Sequence, residues 1–132
     1  MKKEILILCT GNSCRSIIAE AIINKYLNVK AYSAGANPSG KVNENAKKLL
    51  KSIDAWDDGY YSKSIDEFKD KYFDLVVTVC DNAKERCPVY PNTKKQIHIP
   101  FEDPDGKDYE AFEEVLKEMK ERLLPVIKKQ LI

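Results

Sequence analysis

Cys9 and Arg15, with five residues between them, frame the segment of this chain that could do chemistry. The apolar run Ile5-Leu6-Ile7-Leu8 leads into Cys9-Thr10-Gly11-Asn12-Ser13-Cys14-Arg15-Ser16, so a strand-like stretch ends in a cysteine and a glycine-bearing turn. The backbone N–H groups of such a loop, Thr10 through Cys14, can wrap a tetrahedral oxyanion. The N-terminus of the following helix and the Arg15 guanidinium add positive potential at the same point. A cysteine at the bottom of that bowl is held as a thiolate, and Cys9 therefore reads as a nucleophile aimed at a bound phosphate-like anion. Packing of a strand-end cysteine in a core would explain neither Gly11 nor the Arg15-Ser16 pair. Gly11 suits close approach of backbone to the anion. Asn12 suits a left-handed backbone position that holds the loop open, with its side chain tying down loop backbone. Ser16 has two readings, a hydroxyl donor to Cys9 or a helix N-cap. Cys14 reads as a structural or incidental thiol.

Composition bounds the rest. The 132 residues suffice for one domain, 1–132, and are too few for two. Lys and Arg number 22 against 21 Asp and Glu, with no long run of one sign, which argues against nucleic acid or an anionic membrane surface as partner. A run of only four apolar residues precedes Cys9, too few for a signal-peptide core or a membrane span, so a soluble cytoplasmic protein is expected. In that setting the four cysteines read as thiols kept for redox or metal chemistry. The intervals of four residues (9 to 14) and six (80 to 87) do not match the tight cysteine pairs of structural zinc sites, and zinc would occupy the nucleophile.

The elements that must position these residues alternate strand and helix, the pattern of an α/β fold with a parallel sheet covered on both faces. Residues 4–8 form a buried central strand. Residues 16–27 form an amphipathic helix with Ile17, Ile18, Ala21, Ile22 and Leu27 inward and Glu20, Asn24 and Lys25 opposite. A second strand is expected over 29–33, a helix capped by Asn43 over 43–52, and a short helix capped by Ser64 reaching about residue 71. The β-branched run 73–79 is the clearest strand, and residues 96–99 form the last. A final helix starts near 108, with a kink or early end near Pro125. Ligands of open parallel sheets bind at the carboxyl ends of the strands, so Cys9 and Cys80 would face one crevice.

Cys9 through Ser16, followed by Ala19-Glu20, resembles the phosphate loop of the low-molecular-weight tyrosine phosphatase superfamily. Tyr32-Ser33-Ala34-Gly35 resembles its next landmark, and Asp103-Pro104 occupies the place of its general-acid loop. Val77-Thr78-Val79-Cys80, then Cys87-Pro88, then Phe101-Glu102-Asp103-Pro104 with Gly106-Lys107, look like the thioredoxin-coupled arsenate reductases of that superfamily. The resemblance implies a single α/β domain with a four-stranded parallel sheet flanked by helices, acting as a monomer with no tightly bound cofactor. It implies arsenate as substrate, with phosphate or sulfate as analogues in the loop, and thioredoxin or a similar dithiol protein as reductant. Arg15 would clamp the oxyanion, and Asp103, with Glu102 or Asp105 as alternatives, would protonate the departing oxygen. Cys80 would attack the Cys9 adduct, and Cys87 would resolve the product to a Cys80–Cys87 disulfide.

Cysteines seven positions apart on a helix lie about 10 Å apart along its axis. A disulfide tolerates a Cα separation of roughly 7 Å. A helix across 80–87 in the reduced protein would therefore have to unwind when bridged. The resemblance also implies a potassium site of some members, here Asn12, Glu20, Ser33, Ser64 and Asp66. Tyr61-Ser62-Lys63-Ser64-Ile65-Asp66 departs from the usual pattern there, with Lys63 adding a positive charge, and Ile99-Pro100 stands where relatives often carry an aromatic and a glycine. Two other functions fit the same residues: a phosphatase acting on phosphotyrosine or small phosphoesters, and a redox sensor or anion-binding module without catalysis.

Overall fold

The computed structural model describes residues 2–81 and 89–131. Four strands, β1 (Glu4–Cys9), β2 (Lys30–Gly35), β3 (Leu75–Thr78) and β4 (Gln96–His98), form one sheet in the order β2-β1-β3-β4. All three pairings are parallel. The chain leaves β1 toward β2 on one side and returns to β3 on the other, so the strand order reverses at the carboxyl end of β1, where a crevice must open. Cys9 is the last residue of that strand.

Alternation along β1 divides the core. Ile5, Ile7 and Cys9 face one buried cluster and Leu6 and Leu8 the other. Helices α1 (Arg15–Tyr26), α2 (Glu44–Ser52), α3 (Tyr109–Glu118) and α4 (Leu124–Gln130) contribute to the first cluster. The second face departs from the expected pair of helical layers. Among the described residues it is covered by the 3-10 turn Ile65–Phe68 and by edge-to-face packing of Tyr32, Phe68, Phe73 and Tyr90. The Tyr90 hydroxyl shares its one proton between the carbonyls of Phe68 and Lys71, tying the end of that turn and the residues after it to this face.

α1 also differs from expectation. Every residue from Arg15 to Ile23 is buried, Glu20 included, because the helix lies between the sheet and the pair α2 and α3. The 3.6-residue period marked Glu20 and Asn24 as polar but could not reveal what covers them. Burial of Ile17, Ile18, Ile22 and Ile23 contributes about 2 kcal/mol each, which offsets the cost of enclosing polar neighbours provided those are hydrogen-bonded. Asn24 meets that condition through the N–H and carbonyl of Ala31.

The other elements keep their predicted places. Asn43 caps α2, its side chain accepting from the Asn45 N–H. Ser64 caps a single 3-10 turn rather than a helix reaching residue 71. Near Pro125 the helix does not end. It widens into a π-helical turn, Met119–Leu123, and resumes with Pro125 in the first turn of α4, where its missing N–H is tolerated. Of the helix expected across 80–87, Cys80 and Asp81 are described and stand outside any helix, while residues 82–86 and Cys87 lie outside the described residues. No helix among the described residues is long and apolar enough to cross a membrane.

Candidate active site

The loop after β1 curls because its carbonyls are occupied on the outside. The carbonyl oxygens of Cys9, Thr10, Gly11 and Ser13 accept from the N–H groups of Ala36, Asn37, Ser39 and Asn43, and that of Cys14 accepts from Ile18 inside α1. Peptides anchored by their carbonyls turn their N–H groups the other way, into the concavity. The resulting cavity, about 220 Å³, is lined by the loop from Cys9 to Arg15 together with Ser39, Asp103 and Asp105. Asn12 holds the predicted left-handed conformation, with φ of 47°. That conformation costs an L residue roughly 1–2 kcal/mol, and three side-chain hydrogen bonds of about 1 kcal/mol each offset it.

Those bonds form a directed chain to the Cys9 sulfur. The Lys63 N–H donates to Asn12 Oδ1 at 2.9 Å, and Asn12 Nδ2 donates to Ser16 Oγ at 2.7 Å and to Ser33 Oγ at 3.0 Å. Ser33 in turn donates to Glu20 Oε1 at 2.5 Å. Ser16 Oγ thus accepts from Asn12 and keeps its own proton for Cys9 Sγ, 2.9 Å away. The sulfur also lies 3.3 Å from the Asn12 N. Two donors thus converge on one buried sulfur. Of the two readings of Ser16, the hydroxyl faces sulfur; the residue lies inside α1 and is not its cap.

Arg15 is 3% exposed, with Nη1 donating to the Phe101 carbonyl at 3.3 Å and Nη2 lying 3.5 Å from Asp103 Oδ2. Asp103 is about half exposed and faces the same cavity. Cys80 is fully buried in the cluster that holds Cys9, and its sulfur lies 4.0 Å from the carbonyl oxygen of Leu8, the peptide that leads into Cys9. Cys14 is a different thiol. Burial, with further contributions from Asp103 and Asp105 against a Ser13 hydrogen bond, pushes it up to about 12, so it stays protonated. Gly11 does not pack tightly, since a Cβ there would meet only Ser13 Oγ at 3.8 Å. The tight glycine is Gly35, at whose position a Cβ would lie 2.5 Å from the Thr10 carbonyl oxygen and 3.1 Å from the Asn12 backbone nitrogen. Its place in Tyr32-Ser33-Ala34-Gly35 was the signal. Arg122, which carried no sequence signal, donates to the Pro100 carbonyl at 3.0 Å and lies over the Phe101 ring, steadying the carbonyl that holds Arg15.

The five residues of the implied potassium site are not gathered into one cage. Asn12, Ser33 and Glu20 are joined, but the Ser64 side chain accepts from the Asp66 N–H and Asp66 is exposed. Lys63 is 7% exposed and donates to the Tyr61 carbonyl, and its charge acts on Glu20. This donor set, with an ammonium group buried beside its one enclosed carboxyl, does not fit an added cation. Among the described residues no cluster of three or more histidines, cysteines or carboxylates could hold a metal ion.

Glu20 has a measurable signature. Burial pushes its carboxyl up to about 7, against the Ser33 hydrogen bond and the charges of Lys63 and Lys30. Between the ordinary carboxylate range and pH 7 the folded chain keeps a proton that the unfolded chain has released, so stability falls as pH rises through that window. The isosteric, neutral variant Glu20→Gln is expected to flatten this decline by up to about 3 kcal/mol in urea unfolding compared at pH 5 and 7.5. Parallel pH profiles for the two proteins would refute the assignment.

A parallel sheet whose central strand ends in a cysteine-to-arginine anion bowl defines a class of cysteine-dependent oxyanion enzymes, and comparison with known proteins agrees. The model of the low molecular weight phosphotyrosine protein phosphatase family matches residues 4–131, and the chain belongs to that family. Within it the chain stands with the arsenate reductases. It is 44% identical over 125 residues to arsenate reductase 1 of Bacillus cereus, covering 92% of each chain. The crystal structure of the arsenate reductase of Archaeoglobus fulgidus superposes with a TM-score of 0.82 at 34% identity, covering 94% of this chain and 98% of that one. A structure described as an arsenate reductase in the phosphate binding state superposes at 0.81, with 29% identity and 98% of both chains covered.

Proposed function

We propose that the chain reduces arsenate to arsenite by a three-thiol relay and serves in arsenic detoxification. The Cys9 thiolate attacks arsenic in the bowl; a sulfur–arsenic bond forms, and one oxygen leaves as water after taking a proton from Asp103. The Cys80 thiolate then attacks Cys9 Sγ. As the disulfide forms, the electron pair of the sulfur–arsenic bond stays on arsenic, which leaves as arsenite. Cys87 attacks Cys80, which frees the Cys9 thiolate and leaves a Cys80–Cys87 disulfide for thioredoxin or a similar dithiol protein to reduce. The observation that carries this reading is the Cys80 thiol, enclosed with Cys9 in one cluster and 4.0 Å from the carbonyl before it. Hydrolysis of a phosphoester needs no second thiol there. The same bowl accepts phosphate esters, and slow aryl phosphate hydrolysis accompanies the main reaction.

Thiol counting on the reduced protein tests the proposal. One equivalent of arsenate is expected to remove two of the four thiols, with the new bridge mapped by mass spectrometry to Cys80 and Cys87. Retention of all four thiols while aryl phosphate is turned over would assign the chain to hydrolysis instead.

A further inference from the structure

Asn43 does more than cap a helix. Each of its polar groups is engaged, and the partners belong to three different elements. Its N–H donates to the Ser13 carbonyl of the oxyanion loop at 3.0 Å, and its carbonyl accepts from the Lys47 N–H within α2. Its side-chain oxygen accepts from the Asn45 N–H, while Nδ2 donates to Asp105 Oδ1 at 2.8 Å. The Asp105 N–H in turn donates to Asp103 Oδ1 at 3.0 Å, and the other Asp103 oxygen faces Arg15. The contacts close a ring from the oxyanion loop through Asn43, Asp105 and Asp103 to Arg15.

We propose that Asn43 is a positioning residue for the proton donor, fixing Asp103 against the oxyanion bowl through Asp105; this rests on the reading of Asp103 as that donor. The half-exposed Asp103 carboxylate is held on one oxygen by Arg15 and on the other by the Asp105 N–H, so its orientation over the cavity depends in part on the turn that Asp105 makes. Helix capping alone would not require an amide. Serine, aspartate and asparagine cap about equally well, but aspartate has no donor and serine offers one short hydroxyl, whereas asparagine accepts from the helix on one atom and donates to the Asp105 carboxylate from another.

Two substitutions separate these roles. Asn43→Asp keeps the cap and the shape but sets a second carboxylate against Asp105; Asn43→Ser keeps the cap and replaces the amide donor with a shorter hydroxyl. Both are expected to leave the melting temperature nearly unchanged. With arsenate and a dithiol reductant, kcat/KM is expected to fall about tenfold in Asn43→Asp and about threefold in Asn43→Ser, a part of the roughly 10²–10⁴-fold that proton transfer contributes. The same substitutions placed in an Asp103→Asn background are expected to change kcat/KM less than about twofold, because the group they position is already inert. An equal fractional loss in both backgrounds would mean that Asn43 acts on the fold alone, which overturns the proposal. Parental rates for both Asn43 variants alongside an impaired Asp103→Asn would overturn it while leaving Asp103 as the donor. Parental activity in Asp103→Asn would refute the proton-donor reading itself.

Discussion

Cys80→Ser is expected to lower arsenate turnover by at least about three orders of magnitude, since loss of an essential nucleophile can cost up to about 10⁶ in rate, while aryl phosphate hydrolysis continues. The two reactions share the first step, in which the Cys9 thiolate attacks the anion held by the loop. They part at the second. Water can attack a phosphocysteine, but reduction of arsenic requires that a thiolate attack sulfur and leave two electrons behind, and a serine hydroxyl cannot do so. The hydroxyl would occupy a fully buried site 4.0 Å from the Leu8 carbonyl, so an unsatisfied group could cost about 1–3 kcal/mol. Cys80→Ala, which buries no polar atom, controls for that loss. Parallel assays of arsenate-dependent thioredoxin oxidation and aryl phosphate hydrolysis check the result. Unchanged arsenate turnover in either variant would refute the relay.

Local sequence carried the nucleophile and the strand that holds it, because both follow from short-range rules. An apolar run of strand length reads as a buried strand, and a glycine and an asparagine before a helix read as a loop whose backbone bends around an anion. The position of Cys80 followed from topology, since a parallel sheet brings the ends of its strands to one edge. What local pattern could not carry lies in contacts between distant residues. The Lys63 N–H that fixes Asn12 is 51 positions away, and the Asp105 carboxylate that Asn43 holds is 62 positions away. Asn43 was legible as a cap because capping is local; its second bond was not. Glu20 was placed opposite the buried face for the same reason, as the helical period is blind to Ser33 of β2 and to Lys63, the distant residues that meet it.

The oxyanion loop also shows how one fold can be turned from hydrolysis to redox chemistry. The bowl, its arginine and its hydroxyl donor are set by β1, α1 and the loop contacts with residues 36–43. A second thiol beyond β3 leaves those contacts in place, since it packs into the same cluster from the neighbouring strand. Under the proposed relay the site acquires an electron donor with no change to its means of holding the anion.

Arg15→Lys is the second large effect, and it separates charge from shape. Lysine preserves the positive charge in the bowl, so if potential alone stabilised the thiolate and the bound anion, turnover would fall little. The surroundings of Arg15 argue otherwise. One arm of its guanidinium is tied to the Phe101 carbonyl at 3.3 Å while the other faces Asp103 at 3.5 Å, and the side chain is 3% exposed. A planar fork fixed in this way can trade its Asp103 contact for two oxygens of a bound anion, releasing the carboxyl toward the departing oxygen. An ammonium group on a flexible stem can contact one oxygen without fixing the other, and its more strongly held hydration must be stripped in a closed site. Loss of one preorganised electrostatic contact in such a site costs about 10²–10³ in rate, so kcat/KM for arsenate is expected to fall by that factor. The inhibition constant for phosphate is expected to rise in parallel, since it reports the same fork in the ground state. A lysine variant within tenfold of the parent on both measures would show that Arg15 acts as a charge alone.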